Sequence, residues 1–362
     1  MLAERKHEGM EKSKKSMTAV ADALGVSRCT VSLVLSGRDR EARIKPETAE
    51  RIRDYCRKVG YQPNIHSRRM QSKIVRNIMV CVAPYICSPD RENVFSDGNF
   101  SGILGGIVTA AAAQNVNVSL SLCHFNQPET RDIVFNSFLS REVDGMIFYG
   151  MDIPENWLPD IVNEKFHIVG VHSNPAVGIN NVDADNYRAT RLMVTEFMLK
   201  RGRRRFVYVG GTALSPVNRE RYRGFVDALG AYNIVFSEDK YIKSDFMEDV
   251  AAAKINDYIK NCPEMPDAIV CANDRMAIGV LKALLANGIR VPEDVAVCGS
   301  EGVELSRYVN PTLATWDQRS KEMGRAAFEL LWHKVNGKEV ENIVVEAELC
   351  EGTSIPPSIP QM

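Results

Sequence analysis

From Asn77 to the C-terminus, short apolar runs of four to seven residues alternate with amphipathic or Ala-rich stretches. Strand and helix in alternation predict parallel sheets in doubly wound α/β layers. Because residues 77–362 exceed one such sheet, we expect two lobes with a ligand cleft at the carboxyl ends of their strands. The runs are Ile78–Ala83, Val116–Leu122, Gly145–Tyr149, Ile168–Val171, Phe206–Val209, Ala268–Cys271 and Val295–Cys298.

Residues 17–60 lack this alternation and predict a compact group of helices. Ser27 is placed to cap a helix from Arg28 to about Ser36, and Gly25 permits the tight turn before it. Pro46 suits the first position of a further helix that ends at Gly60.

The charge is divided between these two regions, although the net charge is only −1. Residues 1–76 hold 18 Lys and Arg against 9 Asp and Glu, whereas the remainder holds 27 against 37. A basic head on an acidic body is typical of a protein whose N-terminal part binds a polyanion, and this asymmetry favours nucleic acid.

The nine cysteines are odd in number, never spaced C-x-x-C, and mostly set within apolar runs. They indicate buried side chains in a reducing compartment and argue against a disulfide framework or a zinc site. The first sixteen residues lack the apolar core of a signal peptide, and no stretch has the length of a membrane span. We therefore expect a cytoplasmic protein with no membrane association.

The helix predicted from Arg28 carries an apolar stripe made of Val31, Val34 and Leu35, which we expect to pack against the preceding helix. Its other face carries short side chains, and Arg28 stands at its amino-terminal end, the end that a helix-turn-helix inserts into the major groove. Arg paired with guanine is the commonest base-specific contact, so Arg28 is the first candidate for one.

Two motifs stand out in the N-terminal region: the order Val-Ala-x-x-x-Gly-Val-Ser-x-x-Thr-Val-Ser from Val20 to Ser32, and Gly60-Tyr61-Gln62-Pro63-Asn64. In both, residues 17–76 resemble the head and hinge of the lactose/galactose repressor family of bacterial transcription regulators. The resemblance implies a charged tail (1–15), an all-α helix-turn-helix domain (16–62) and a hinge (63–76). The remainder (77–362) would be a two-lobed domain, similar to type I periplasmic binding proteins, that binds the effector and dimerises.

The resemblance also implies DNA-contacting residues. Arg28, Cys29 and Leu33 occupy base-reading positions, although Cys29 and Leu33 would equally serve as space-filling residues. In the hinge, Met70 takes the position of a minor-groove wedge, with an ordinary apolar linker residue as the alternative. The positions at or beside phosphate and groove contacts are Ser16, Met17, Ser27, Thr30, Ser32, Asn64 and Arg68.

For the effector, the resemblance places Arg221 in the cleft through the stretch Arg221-Tyr222-Arg223-Gly224-Phe225, and Asn273 and Asp274 at a strand end. Such a set suits a sugar or related metabolite, because carboxylates accept hydroxyl protons and Arg donates a planar fork. Asp152 and Asp274 have an alternative role as strand-end or helix-capping carboxylates. The remaining candidates are Phe100, Phe246 and Glu301.

One departure from the family concerns Gly299-Ser300-Glu301, which stands where the family has Gly, an aromatic residue and Asp. The carboxylate is retained one methylene further out, so a common effector of the family is not assigned.

We therefore predict a sequence-specific DNA-binding repressor that binds double-stranded operator DNA as a homodimer, with a tetramer left open, under control of a small-molecule effector. The chain shows no phosphate loop, nucleophile elbow or metal-ligand spacing, so neither an enzyme, a metal nor a cofactor is expected. The alternative is a solute-binding protein without a DNA role, which the basic head disfavours.

Overall fold

A computed structural model describes residues 16–61, 74–82, 95, 97–123, 128–150, 153–173, 179–211 and 215–358. The chain divides into two compact units, Met1–Val75 and Arg76–Met362, which we call the head and the body. The division falls at the end of the segment predicted as a hinge.

The described part of the head consists of three helices whose ends follow the capping residues read from the sequence. Ser27 accepts a hydrogen bond from the Thr30 amide at 3.0 Å, and Gly25 and Gly60 take left-handed conformations that only glycine adopts without strain. The predicted caps are therefore confirmed. The helices are α1 (Met17–Leu24), α2 (Arg28–Leu35) and α3 (Pro46–Val59).

The head has its own apolar core, which α1 and α2 form with α3. Val31 and Val34 of α2 are buried against Val20 of α1 and Ile52 of α3, while Leu35 is half-buried. The predicted stripe therefore packs as expected.

Within the described residues, no single helix is long and apolar enough to cross a membrane. One pair of helices, α1 and α2, has the required length and composition when taken together, but the chain bends by 109° between them.

The first lobe of the body is built on a six-stranded parallel sheet with the order β11-β5-β4-β3-β1-β2. Its elements are β1 (Asn77–Val82), α4 (Gly98–Ala113), β2 (Asn117–Leu122), α5 (Pro128–Leu139), β3 (Gly145–Tyr149), α6 (Leu158–Asn163), β4 (Ile168–Val171) and β5 (Asn180–Ala184). The chain returns later to add α11 (Ser320–Val335) and β11 (Ile343–Val345).

The second lobe is built on a four-stranded parallel sheet with the order β7-β6-β8-β9. Its elements are α7 (Asn186–Met193), β6 (Phe206–Gly210), α8 (Pro216–Gly230), β7 (Tyr241–Lys243), α9 (Glu248–Asn261), β8 (Ala268–Cys271), α10 (Asp274–Ala286) and β9 (Ala296–Cys298). A short antiparallel pair joins β10 (Thr315–Asp317) to β12 (Glu348–Cys350).

The chain passes between the lobes three times, after β5, after β10 and after β11, because α7 packs on α8 whereas α11 packs on α4. We call these segments the crossovers. The two-lobed α/β architecture is the predicted one. The seven predicted strands are all present within one or two residues, whereas β5, β7, β10, β11 and β12 were not predicted, since most of them are only three residues long.

Close packing of α4 on α11 explains part of a glycine-rich stretch. A Cβ on Gly106 would lie 2.1 Å from the Lys321 carbonyl oxygen, and one on Gly324 would lie 2.0 Å from the Ile103 carbonyl oxygen. Each helix therefore needs a glycine where the backbone of the other approaches, and this contact holds the helix that carries Asn99 at its first turn.

Candidate DNA-contacting face and effector cavity

The exposed face of α2 carries the side chains predicted to read bases. Arg28 and Cys29 are exposed, and Arg28 makes no hydrogen bond or ion pair with any described residue. Leu33 and Ser32 are half-buried. An unpaired guanidinium at the amino-terminal end of an exposed helix has its donors available for an external acceptor.

The serines predicted near phosphates are capping residues in the structure. Ser16 accepts a hydrogen bond from the Ala19 amide at 3.1 Å, and the Ser27 hydroxyl lies 2.8 Å from that of Thr30. Both α1 and α2 thus present capped amino-terminal turns, and such turns favour nearby anions such as DNA phosphates. Met17 is half-buried and packs against the core of the head.

The loop between α2 and α3 adds further positive charge. Arg40 is exposed, and Arg38 donates to the Ser36 hydroxyl at 3.4 Å. Asp39 is held by Arg53 at 2.9 Å, and this hydrogen-bonded guanidinium lowers the pKa of the carboxyl below its usual value. The predicted hinge contacts Asn64, Arg68 and Met70 lie outside the described residues.

A cavity lies between the two lobes of the body, at the carboxyl ends of their strands, as the rule for α/β sheets predicts. Its volume is about 70 Å³, enough for several water molecules. It is lined by Asp97, Asn99, Tyr149, Gly150 and His172 from the first lobe and by Ser215, Val217, Phe246, Asn273, Arg275 and Glu301 from the second.

Three of the predicted effector residues line this cavity: Phe246, Asn273 and Glu301. Asn273 caps α10 by accepting from the Met276 amide at 2.9 Å, and its side-chain amide donates to the Phe246 carbonyl at 3.5 Å. Phe246 and Glu301 have φ angles of +63° and +107°, which are strained for residues with side chains. Backbone strain of this kind clusters at binding sites.

Arg221 lies behind the cavity and does not line it, because its side chain is fully buried and bonded to protein groups. It donates to Asn186 at 2.8 Å, to Glu301 at 3.0 Å, and to the carbonyl of Ala272. Its guanidinium also stacks 4.9 Å from the ring centroid of Trp316. In this structure Arg221 therefore binds Glu301, which faces the cavity, and its direct contact with the effector stays a prediction.

Asp274 is also fully buried away from the cavity. Its carboxylate accepts from the Thr315 hydroxyl at 2.6 Å and from the Val303 amide at 2.8 Å. Burial raises its pKa well above the usual value. Asp274 thus connects the start of α10 to β10 and to Val303, whereas the helix cap itself is Asn273, and a contact between Asp274 and the effector stays a prediction.

Two carboxyl groups of the cavity wall also have raised pKa values. Burial is the main cause for both Asp97 and Glu301, and the positive charge of Arg221 partly opposes it at Glu301. Perturbed carboxyls that face a cavity are typical of binding sites.

Phe100 is fully buried, with its ring 5.0 Å from that of Tyr149, so it supports the cavity wall and does not line it. Asp152 lies outside the described residues. The lining residues that were not predicted from the sequence include Asp97, Asn99, His172, Ser215 and Arg275. His172 directly follows a predicted strand, and Ser215 precedes Pro216, so strand-end and capping signals were present for both.

A wider groove of about 870 Å³ borders the cavity at Arg275. Its charged side chains of both signs, including Arg307, Glu304 and Lys321, are exposed. Since buried polar groups converge on the smaller cavity and not on this groove, the smaller cavity is the candidate effector site.

Comparisons with known proteins agree with this description. Residues 16–64 match the model of the bacterial regulatory proteins of the lacI family, and residues 195–355 match that of the periplasmic binding protein-like domain. The chain is 29% identical to the HTH-type transcriptional repressor CytR of Escherichia coli K12 over 343 residues, covering 91% of this chain and 94% of the relative. It is 26% identical to the regulator CelR of Thermobifida fusca over 349 residues, covering 94% and 98%.

Solved structures show the same fold. A crystal structure of the lac repressor dimer bound to operator and the anti-inducer ONPF matches with a TM-score of 0.80 at 21% identity, over 94% of this chain and 98% of that one. A transcriptional regulator CelR–cellobiose complex matches with a TM-score of 0.66 at 25% identity, over 94% and 99%. All of these relatives are regulators by name, in line with the expectation that the chain is not an enzyme.

Proposed function

We propose that this chain, which belongs to the lacI family of bacterial regulatory proteins and is a DNA-binding transcription regulator, represses transcription as a cytoplasmic homodimer. In this proposal the body of each subunit binds a neutral, hydroxyl-rich effector. The observation that carries the proposal is the cavity, whose wall comes from both lobes. A ligand that contacts residues of both lobes binds one arrangement of the lobes better than another. Such differential binding is what shifts a conformational equilibrium.

The choice of a neutral effector, such as a sugar or related metabolite, rests on the charges in the cavity wall. Asp97 and Glu301 supply acceptors for hydroxyl groups, and Phe246 supplies an aromatic face for apolar C–H groups. Arg275 is engaged by Glu248 at 2.7 Å, and Arg221 by Glu301. An anionic ligand in the cavity would meet the carboxyl groups of Asp97 and Glu301 and only one guanidinium group, that of Arg275, which is already paired with Glu248.

Support for the other parts of the proposal is of several kinds. The lac repressor structure is a dimer on operator DNA. All eight described cysteines are free thiols, as a reducing cytoplasm requires.

The test begins with selection of genomic DNA fragments by the purified protein, followed by titration of the bound complex. Sugars and nucleosides are compared with their own phosphorylated forms. We expect selected fragments to share a palindromic site, and the neutral member of one pair to change operator affinity. The absence of any enriched site, or a response only to phosphorylated ligands, would contradict the proposal.

A further inference from the structure

Six side chains form a closed ring of hydrogen bonds at the cavity, two of them (Asn99 and His172) in its wall, and link the two lobes through two crossovers. Asn99, His172 and Asp183 come from the first lobe, Arg221 comes from the second, and Asn186 and Gln318 lie at crossovers. All except Asp183 are at least nine-tenths buried. In order around the ring they are Arg221, Gln318, Asn99, His172, Asp183 and Asn186.

Each neighbouring pair in the ring is within hydrogen-bond distance. Arg221 Nη2 lies 3.5 Å from Gln318 Oε1, and Gln318 Nε2 donates to Asn99 Oδ1. Asn99 Nδ2 lies 3.4 Å from His172 Nε2, and His172 Nδ1 lies 2.8 Å from Asp183 Oδ1. Asn186 closes the ring, since its Nδ2 donates to Asp183 Oδ1 at 2.9 Å and its Oδ1 accepts from Arg221 Nε at 2.8 Å.

The direction of every bond follows from Arg221, which has only donors. It must donate to the oxygen of Gln318, so the amide nitrogen of Gln318 must donate to the oxygen of Asn99. The amide nitrogen of Asn99 then donates to His172, whose Nε2 has to be an unprotonated acceptor. The proton of the neutral imidazole is consequently on Nδ1, where it is donated to Asp183.

We propose that this ring is a pH-sensitive latch between the lobes, closed only while His172 is neutral, with Gln318 and Asn99 as positioning residues that connect His172 to Arg221. The latch concerns the regulation of the cavity, and its role in the effector response rests on the proposed function. The polarity of the ring is a property of the body alone.

Protonation of His172 adds a second N–H to its imidazole, at Nε2, where it faces the amide N–H of Asn99. Two donors cannot bond, so Asn99 would have to turn over, and its amide nitrogen would then face the amide nitrogen of Gln318. The Ser320 hydroxyl, 3.3 Å from Gln318 Nε2 and 3.0 Å from Asn99 Oδ1, can accept from these groups but is not a member of the ring. If Gln318 turned over as well, its amide nitrogen would face the donors of Arg221, which cannot lose its proton. One hydrogen bond of the ring is therefore always lost when His172 becomes charged.

Several charged or titratable groups face His172 from the elements around it. Asp97 precedes α4, Tyr149 ends β3 with its ring 5.8 Å away, and Asp183 lies on β5. Glu301, Arg221 and Arg275 approach from the second lobe. These are the charged groups that an imidazolium at His172 would meet, and the hydrogen-bond polarity of the ring is what requires the neutral form of His172.

The tautomer of His172 tests the latch without any effector. In the ¹⁵N-histidine-labelled full chain, the resonances of His172 are identified by their loss in His172→Gln. At pH 8 we expect the neutral tautomer that is protonated on Nδ1 and unprotonated on Nε2. A proton on Nε2 of the neutral ring would overturn the inference.

A variant that reverses the polarity makes the test sharper. In Gln318→Glu the carboxylate has no donor, so Asn99 must turn its nitrogen towards residue 318 and its oxygen towards His172. We expect His172 then to carry a proton on Nε2 at pH 8. An unchanged tautomer would show that Gln318 does not position His172. If this variant does not fold, Asn99→Asp is used instead, because its carboxylate can only accept and therefore also requires a proton on His172 Nε2.

Hydrogen–deuterium exchange of the crossover amides, corrected for intrinsic exchange rates, tests whether the protonation state of His172 affects the connection between the lobes. Between pH 8 and pH 6 we expect residues 184–186 and 317–320 of the wild type to exchange about tenfold faster, the factor for one lost buried hydrogen bond. Gln318→Glu should change in the opposite direction, whereas β8 serves as an internal control. Equal acceleration in both proteins would overturn the latch, while a failure to find an effector would affect only the proposed function.

Discussion

The head and the body present their functional side chains in opposite ways. In the head, Arg28 is exposed and unpaired with any described residue. In the body, Arg221 is fully buried and bonded to Asn186, Glu301 and Gln318. Exposed groups that act independently give additive effects, whereas groups in one hydrogen-bond network are coupled. In the head, the effect of each substitution should therefore be confined to recognition of one base pair. In the body, the effect of one substitution should extend to the other residues of the hydrogen-bond network.

The largest effect is expected from removing the head. Deletion of residues 1–73 keeps Arg76, whose side chain donates to the Gln114 carbonyl at 2.8 Å and whose carbonyl accepts from Asn117 at 2.9 Å. The body should remain folded, because it forms its own compact unit. Electrophoretic mobility shift should show no operator complex, and a surviving complex would contradict the division of roles.

The next largest effect is expected for Arg221→Ala. Removing the guanidinium leaves Glu301 buried without its partner, which should lower the free energy of unfolding of the body by about 3–5 kcal/mol. Under conditions where the variant is folded, operator binding should persist and the effector response should be lost. Chemical denaturation and operator titration measure the two parts.

The matched control is Arg223→Ala on the same helix. Its guanidinium is exposed and pairs with Glu220 at 2.7 Å, so removal should cost no more than about 1 kcal/mol. Similar losses for Arg221 and Arg223 would contradict the coupled network.

A smaller effect is expected for Arg28→Ala. Loss of a bidentate base contact should cost about 1–3 kcal/mol at the cognate operator and relax the preference at one base pair in each half-site. Arg40→Ala, in the exposed loop, should weaken all sequences equally. Affinity measured on a set of single-base operator variants distinguishes the two, and a uniform loss for both would make Arg28 a phosphate contact.

The smallest effect concerns pH. Arg53 lowers the pKa of Asp39, so the stability that this pair contributes is present above the unfolded value of about 4 and is lost as the pH falls through the lowered pKa. Burial raises the pKa of Asp274, so its charged form costs stability at neutral pH, and this cost is relieved as the pH falls.

Asp39→Asn and Asp274→Asn test these opposite signs. Upon acidification, the unfolding free energy of the wild type should approach that of Asp39→Asn and should rise relative to that of Asp274→Asn. Denaturant titrations of each protein at several pH values measure both differences. The same sign for both would show that burial does not control Asp274.

Much of the fold, and the helix caps and apolar stripe of the head, follow from local sequence. The caps Ser27 and Gly25, the stripe of Val31 and Val34, and the exposed Arg28 depend on residues within one or two turns of helix. The apolar strand runs of the body, such as Ile168–Val171, are likewise local. Helix periodicity and capping act over a few residues, so the sequence by itself determined these features.

Only the tertiary structure decided what Arg221 does. Its sequence surroundings indicated a cleft position, but its partners Asn186, Ala272, Glu301 and Gln318 lie between 35 and 97 residues away. The bond between Gln318 and Asn99 spans 219 residues, and that between Asn99 and His172 spans 73. A hydrogen bond forms only where the packing of two lobes brings a donor to an acceptor, and no local pattern in the chain encodes that distance.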